Sequence, residues 1–221
     1  MSLDLSHWIV AALAYLVGSI PFSYLVARSR GLDLRKMGSG VVSPANVRHV
    51  LGTKAAALAL TGDVGKAILP VALARWLIDP GLAAYIALWV MVGHVWPIWL
   101  RFDGGRGMAI FVATGAILLP REIALLAIIT IPIARLIHDT APLAAVCVVL
   151  APVLALAFGE PPQLAIVLGF MAILILLRRI VAPSQGPQGF RTLLSRLIFD
   201  RPDPRRHWTL DPEPSEETPK A

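Results

Sequence analysis

A chain of 221 residues that is 57% hydrophobic and 15% charged, with a mean hydropathy of +0.71, is not a soluble globular domain, which carries about 25% charge. Its net charge of +6 is no nucleic-acid footprint, because the basic residues flank apolar runs, where they orient spans and meet anionic lipid heads. The lone Cys147 rules out an intramolecular disulfide and gives zinc no support.

Apolar runs near spanning length, separated by short polar turns, predict an all-α, polytopic membrane helix bundle. The first run is His7–Ala27; Met1–Ser6 carries no Lys or Arg, so it reads as a span rather than a cleaved signal. A polar, glycine-bearing loop from Arg28 to Gly52 follows. Gly38, Ser39 and Gly40 form a tight turn whose N–H groups could make an anion nest, with a Ser39 hydroxyl donor and Asn46, Arg48 and His49 close behind. The plainer alternative is a basic connector with a glycine turn.

The second run, Thr53–Ile78, contains Asp63 and Lys66, whose i, i+3 spacing lets them pair on one helical face. Charges inside a span are costly and face a bundle interior or a cavity. They either fix packing or shape a site. The third run, Leu82–Leu100, holds His94 three residues before Pro97, as a packing and capping residue or as support for a site. Trp76, Trp89, Trp96 and Trp99 read as interfacial anchors. Next comes Phe102-Asp103-Gly104-Gly105-Arg106-Gly107, where three glycines allow close backbone approach to an anion and the guanidinium offers a fork to phosphate oxygens.

Four runs complete the set: Met108–Leu119, short for a crossing, then Ile123–Ile137, Ala141–Phe158 and Leu164–Leu177. Seven spans with the N-terminus outside put nearly all of the 20 Lys and Arg residues on the inner side, leaving only Arg75 and Arg121 in outer turns. The C-terminus is then cytoplasmic, and both glycine-bearing loops share one membrane face. Phe190, Leu193, Leu194, Leu197 and Ile198 fall at helical spacing, predicting an interfacial helix over about 188–199. Residues 1–199 thus form the membrane domain, and the Pro- and acid-rich 200–221 a disordered tail.

Four stretches carry a family resemblance: Gly18-Ser19-Ile20-Pro21-Phe22-Ser23-Tyr24; Asp33-Leu34-Arg35-Lys36 leading to Gly38-Ser39-Gly40, Asn46 and Arg48; Asp63 with Lys66; and Gly93-His94, Pro97, Phe102 and Gly104-Gly105-Arg106-Gly107. Together they resemble the bacterial acyl-phosphate:glycerol-3-phosphate acyltransferases (PlsY type), from about Leu13 to Leu177. The resemblance implies acyl transfer from acyl phosphate to the 1-hydroxyl of glycerol 3-phosphate, giving lysophosphatidic acid and phosphate for phospholipid synthesis. It places the protein in the bacterial plasma membrane, with its site facing the cytoplasm. An enzyme that makes acyl phosphate is the implied partner.

By the same resemblance Ser39, Arg48 and Arg106 hold phosphate, and no side-chain base, metal or nucleotide is needed. The expected site is Ser39, Arg106 and His94 for catalysis, Gly40, Asn46, Arg48, Gly104, Gly105 and Gly107 for phosphate, and Asp63 and Lys66 in support. The chain departs from the family pattern at Val41, Ser43, Pro44 and Ala45, carries Arg106 in place of Lys, and follows Arg178-Arg179 with Ile180 to Ser184 rather than the third motif's Asn and Glu. Two other readings stand beside acyl transfer: a catalytically weak paralogue that binds phospholipid precursors, and a small transporter of a phosphorylated solute.

Overall fold

The computed structural model describes residues 4–181 and 190–200 and is helical throughout. The helices are α1 (Leu5–Ser19), α2 (Phe22–Arg28), α3 (Pro44–Leu51), α4 (Thr53–Leu77), α5 (Pro80–Val95), α6 (Met108–Leu118), α7 (Pro120–Ile137), α8 (Ala141–Ala157), α9 (Pro162–Ile180) and α10 (Phe190–Phe199). Among the described residues, four stretches are long and apolar enough to cross a membrane: Leu5–Arg28, Thr53–Leu77, Pro80–Leu100 and Pro162–Ile180. α6 and α8 are shorter apolar helices. α6, at 11 residues, has about half the roughly 20 that a crossing needs.

The first span is broken rather than continuous. Pro21 lacks an N–H and pushes Ile20 out of the helical region, to a ψ of 114°, so α1 stops at Ser19 and α2 restarts at Phe22. α2 then delivers the chain to a short 3-10 turn (Leu34–Lys36), to α3, and through Gly52 (φ +83°) into α4. A small apolar cluster of Ala27, Leu34, Val42, Val47, Ala55, Ala59 and Leu100 pins this polar loop to the ends of α4 and α5.

The main core draws on α4, α5, α6, α8 and α9, and much of it is alanine, with Val90, Met91, Ile110, Phe111, Leu168, Met171 and Ile175 filling the larger spaces. Large side chains such as Leu13, Leu69, Ile128, Val149 and Phe170 point outward. Small-in, large-out is the pattern of a bundle in lipid, where close backbone approach rather than hydrophobic exclusion drives helix association. Gly18 and Gly93 make the tightest crossing, between α1 and α5. A Cβ on Gly18 would run into the Val90 carbonyl, and one on Gly93 into the Tyr15 carbonyl. Tyr15 ties the same pair of helices together by donating its hydroxyl to the Trp96 carbonyl, 2.8 Å away.

Trp76 and Trp99 are exposed, as anchors should be. Trp89 is not one of them: it packs against the core, edge-on to Tyr85. α10 covers the inner part of the expected surface helix; residues 188–189 and 201–221 lie outside the described residues.

Replacing Gly93 with Val, which forces α1 and α5 apart, should destabilise the protein by about 1–3 kcal/mol. Thermal unfolding in detergent checks this, with Gly169→Ala, where a Cβ meets nothing within 4 Å, as the control expected to melt like wild type.

Candidate functional site

Polar groups gather where the two glycine-bearing loops meet the last turns of α5 and α9. Beneath them lies a buried network. Lys66 Nζ donates to the Ile20 carbonyl at the helix break (2.5 Å), alongside the Phe22 N–H (3.2 Å), and pairs with Asp63 Oδ1 at 2.9 Å. Ser23, at the start of α2, donates to Asp63 Oδ2 at 2.7 Å. His94 Nδ1 stands 3.7 Å from Asp63 Oδ1. Asp63 and Lys66 therefore pair as their spacing predicts, and hold the break in the first span.

α5 ends at Val95, and Pro97 begins a 3-10 turn over Ile98–Leu100. Arg101 and Phe102 then both take left-handed φ values, +55° and +64°, and fold the chain back over the helix end. The N–H of Gly104 donates to the Val95 carbonyl (3.3 Å) and that of Gly105 to the His94 carbonyl (3.2 Å). These donors satisfy carbonyls that a helix C-terminus leaves open. That corrects the expectation for Gly104 and Gly105: their N–H groups are committed to α5 and do not face an anion.

The glycines are required by contact instead. A Cβ on Gly105 would collide with the His94 imidazole and the Val42 carbonyl; one on Gly104 would meet the His94 carbonyl and the Pro97 ring. Gly107 takes a φ of +87° against the Met91 thioether. His94 thus lies directly under Gly105, one residue from Arg106, and acts on the loop rather than standing in it.

The first loop is corrected in the same way. Asn46 is 1% exposed, and its side chain is fully used. Its Oδ1 accepts from the Ser39 N–H (3.0 Å), and its Nδ2 lies within hydrogen-bond distance of the Leu34, Met37 and Val41 carbonyls, at 3.2, 3.0 and 3.0 Å. Asn46 is a staple, not a ligand. The expected nest is also spent, because Gly40 N–H donates to the Met37 carbonyl (2.9 Å) and Val41 N–H to Ser39 Oγ (3.4 Å). The Ser39 hydroxyl proton is not consumed by these bonds, so Ser39 keeps a donor to offer. Arg48 is exposed on α3.

The departures from the family pattern have a local reason. Ser43 Oγ accepts from Asn46 N–H at 3.2 Å and caps α3, Pro44 takes the first-turn position where a missing N–H costs nothing, and Val41 and Val42 are buried. Nearby, the Arg35 guanidinium beside Asp33 holds its carboxyl down at about 2.

α9 brings two arginines that the sequence reading treats only as topology signals. Arg178 Nη2 donates to the Gly104 carbonyl (2.8 Å) and to Asp103 Oδ1 (3.2 Å), bracing the glycine loop from the other side. Arg179 Nη1 donates to the Leu197 carbonyl (2.9 Å) near the end of α10 and to the Ala141 carbonyl (3.2 Å) at the start of α8. Arg106 itself pairs with Asp200, the first residue of the stretch assigned to the tail, and Asp200 Oδ1 lies 3.8 Å from Arg179 Nε. Burial pushes the Arg106 guanidinium below its usual range; Asp200 opposes the shift, while Arg179 and Arg178 add to it. Burial also pushes the Asp200 carboxyl up, against the pull of Arg106 and Arg179. Three guanidinium groups thus converge where the third motif's usual residues are missing, with two carboxylates, Asp103 and Asp200, among them.

Beside this cluster runs an apolar cavity of about 240 Å³ between α6, α7 and α8. It includes Met108, two residues after Arg106, and Thr140, next to the Ala141 that takes Arg179; Phe111, Leu126 and Cys147 lie further along.

The Glycerol-3-phosphate acyltransferase family profile matches residues 8–182. The chain belongs to this family. A glycerol-3-phosphate acyltransferase of Rubrobacter xylanophilus is 45% identical over 113 residues, which are 51% of this chain and 57% of that protein. One from Pseudomonas paraeruginosa is 45% identical over 107 residues, 46% of this chain and 55% of the relative. The chain thus matches little more than half the length of these relatives. The crystal structure of PlsY (YgiH), an integral membrane glycerol 3-phosphate acyltransferase, in its glycerol 3-phosphate form, superposes with a TM-score of 0.74 at 25% identity, covering 79% of this chain and 88% of that one. The shared fold therefore covers most of this chain.

Asn46→Ala should unfasten the first loop, leaving buried carbonyls unpaired at roughly 1–3 kcal/mol each. Limited proteolysis should then cut between Asp33 and Val42 faster than in wild type. Unchanged cleavage there would show that the loop is held by other means.

Proposed function

We propose that this protein transfers an acyl group from acyl phosphate to the 1-hydroxyl of glycerol 3-phosphate, releasing lysophosphatidic acid and inorganic phosphate at the cytoplasmic face of the bacterial plasma membrane. The observation that carries this reading is a mostly buried guanidinium, Arg106, two residues before the Met108 that lines an apolar cavity, in a chain of this family. Such a pairing suits a substrate with a phosphate head and a hydrocarbon tail.

In the reaction the 1-oxygen of glycerol 3-phosphate attacks the acyl carbon and the bond from that carbon to the phosphate oxygen breaks. The hydroxyl proton leaves with the phosphate. Since acyl phosphate is already activated, no acyl-enzyme is required, and the protein's work is to hold anions, align the hydroxyl and stabilise developing negative charge. Arg106 and Ser39 are the residues assigned to these contacts. Arg48 joins them only if α3 turns its exposed side chain inward with substrate bound. Arg106 in place of Lys keeps the charge and adds a planar fork. The cavity between α6, α7 and α8 takes the acyl chain. Seven crossings with the N-terminus outside bring the 29–43 and 101–107 loops to one face, in keeping with the contact of Gly105 and Val42. An acyl-phosphate-producing enzyme is assigned to delivery of the donor.

A second reading, a weakly active paralogue that binds phospholipid precursors, is favoured by one observation: a carboxylate of the chain itself sits on Arg106. Transport has no such support, since Asp63 and Lys66 are spent on each other and on the helix break.

Purified protein in lipid, given palmitoyl phosphate and labelled glycerol 3-phosphate, should form labelled lysophosphatidic acid. Arg106→Ala should lower the rate by at least about a hundredfold, the order of magnitude lost with one stabilising donor, while Arg75→Ala on the opposite side keeps it. No product from folded wild type across several acyl chains would favour the non-catalytic reading. Equal losses from both changes would overturn the site.

A further inference from the structure

Arg106 and Asp200 form a contact between the glycine loop and the end of α10 that the reaction, as derived, does not use. We propose that Arg106 and Arg179 together form the seat for a substrate phosphoryl group, and that the Asp200 carboxylate fills this seat in the substrate-free protein until that group displaces it. The inference rests on the acyltransferase reading for the class of substrate, and assigns Arg179 a role of its own.

The geometry is that of a carboxylate standing in for a larger anion. Asp200 Oδ2 is bonded to Arg106 Nη1, while Oδ1 faces Arg179 Nε at 3.8 Å, beyond hydrogen-bond length, and has no hydrogen-bond partner although it is buried. Arg106 Nε is likewise a buried donor with no acceptor. Two guanidinium groups bridged by one planar carboxylate therefore leave an acceptor and a donor unmade, which is costly away from water. A phosphoryl group brings three oxygens and a charge near −2, enough to bond both guanidiniums at once, bidentate to one.

The surroundings fix the seat but not its occupant. Arg179 is held in place by the carbonyls of Ala141, Leu197 and Ile198, and Arg178, bonded to Gly104 and Asp103, secures the loop that carries Arg106. Asp200 is the residue just past α10, and its φ of +61° lies in the left-handed region that a residue with a Cβ enters only at a cost. Moving its carboxylate away therefore needs only a backbone rotation at the helix end, with α10 still docked. It also returns the residue to an ordinary conformation. Arg179 stands directly after Arg178 at the end of α9, where the family's third motif would begin. A guanidinium in that place gives this chain an anion contact by different chemistry.

The test uses the full chain in phosphatidylcholine nanodiscs and reads binding of inorganic phosphate as well as KM for glycerol 3-phosphate and for palmitoyl phosphate. Asp200→Asn removes the internal anion and keeps the shape. It should tighten phosphate binding by about tenfold, the gain expected if the seat is open a tenth of the time in wild type. The KM that falls with it identifies which substrate's phosphoryl group sits there. Arg179→Lys, which keeps the charge without the fork, should weaken phosphate binding in the Asp200→Asn background and raise that same KM, both read below the variant's own melting temperature, which the lost carbonyl contacts lower. Transfer by wild type with phosphate affinity and both KM values unchanged in Asp200→Asn would overturn this inference and leave the activity standing. Absence of both transfer and phosphate binding in Asp200→Asn would remove the activity and the seat together.

Discussion

A break inside an apolar span has to be held by side chains, and in this protein Lys66 holds it. Pro21 breaks the first span at Ile20, whose carbonyl accepts from the Phe22 N–H (3.2 Å) and from Lys66 on α4 at 2.5 Å. An ammonium in such a place needs a counter-charge, which Asp63 supplies; Asp63 in turn is fixed by Ser23 on the far side of the break and approached by His94 from α5. One buried ion pair thus ties three elements together at the level where the first loop leaves the bundle. Breaking a buried pair by removing one partner costs far more than the pair contributes. Its role here is therefore positional: it sets the start of α2, and the apolar cluster around Leu34 and Val47 and the Asn46 bonds hold the loop that follows.

From that anchor the site is built upward through tight packing. His94 lies beneath Gly105, Gly105 against the Val42 carbonyl, and the glycine loop is bonded back onto α5 and braced by Arg178. The glycines serve helix capping and clearance, which leaves side chains, Arg106, Arg179 and the Ser39 hydroxyl, as the groups proposed to bind the anion. Such a site tolerates change in its backbone-facing motif residues as long as the loop keeps its shape. Ser43 and Pro44 illustrate this. They depart from the family pattern and yet form a regular helix start.

Much of this was legible from residue order, and the parts that were not have identifiable causes. The apolar runs, the Asp63–Lys66 pair and the nearness of the two glycine loops follow from periodicity, i, i+3 spacing and charge asymmetry. The commitment of the Gly104 and Gly105 donors was not legible, because the reversal that points them at α5 is made by Arg101 and Phe102, two residues that give no sign of left-handed φ. Asn46 resembles a ligand in sequence because an amide suits either role; only the four main-chain groups around it decide. Arg178 and Arg179 were absorbed by the positive-inside pattern, which explains any basic residue at a span end equally well. Asp200 was hidden by the composition of the residues after it.

The account's central claim is that a set of guanidinium groups beside the glycine loop, rather than that loop's N–H groups, holds the substrate's phosphate. The most direct measurement is a structure of the full chain in lipid with glycerol 3-phosphate bound. The account predicts phosphate density in contact with Arg106, with the Gly104 and Gly105 N–H groups still bonded to the Val95 and His94 carbonyls. Phosphate held by those N–H groups, with the loop swung off α5, would contradict it.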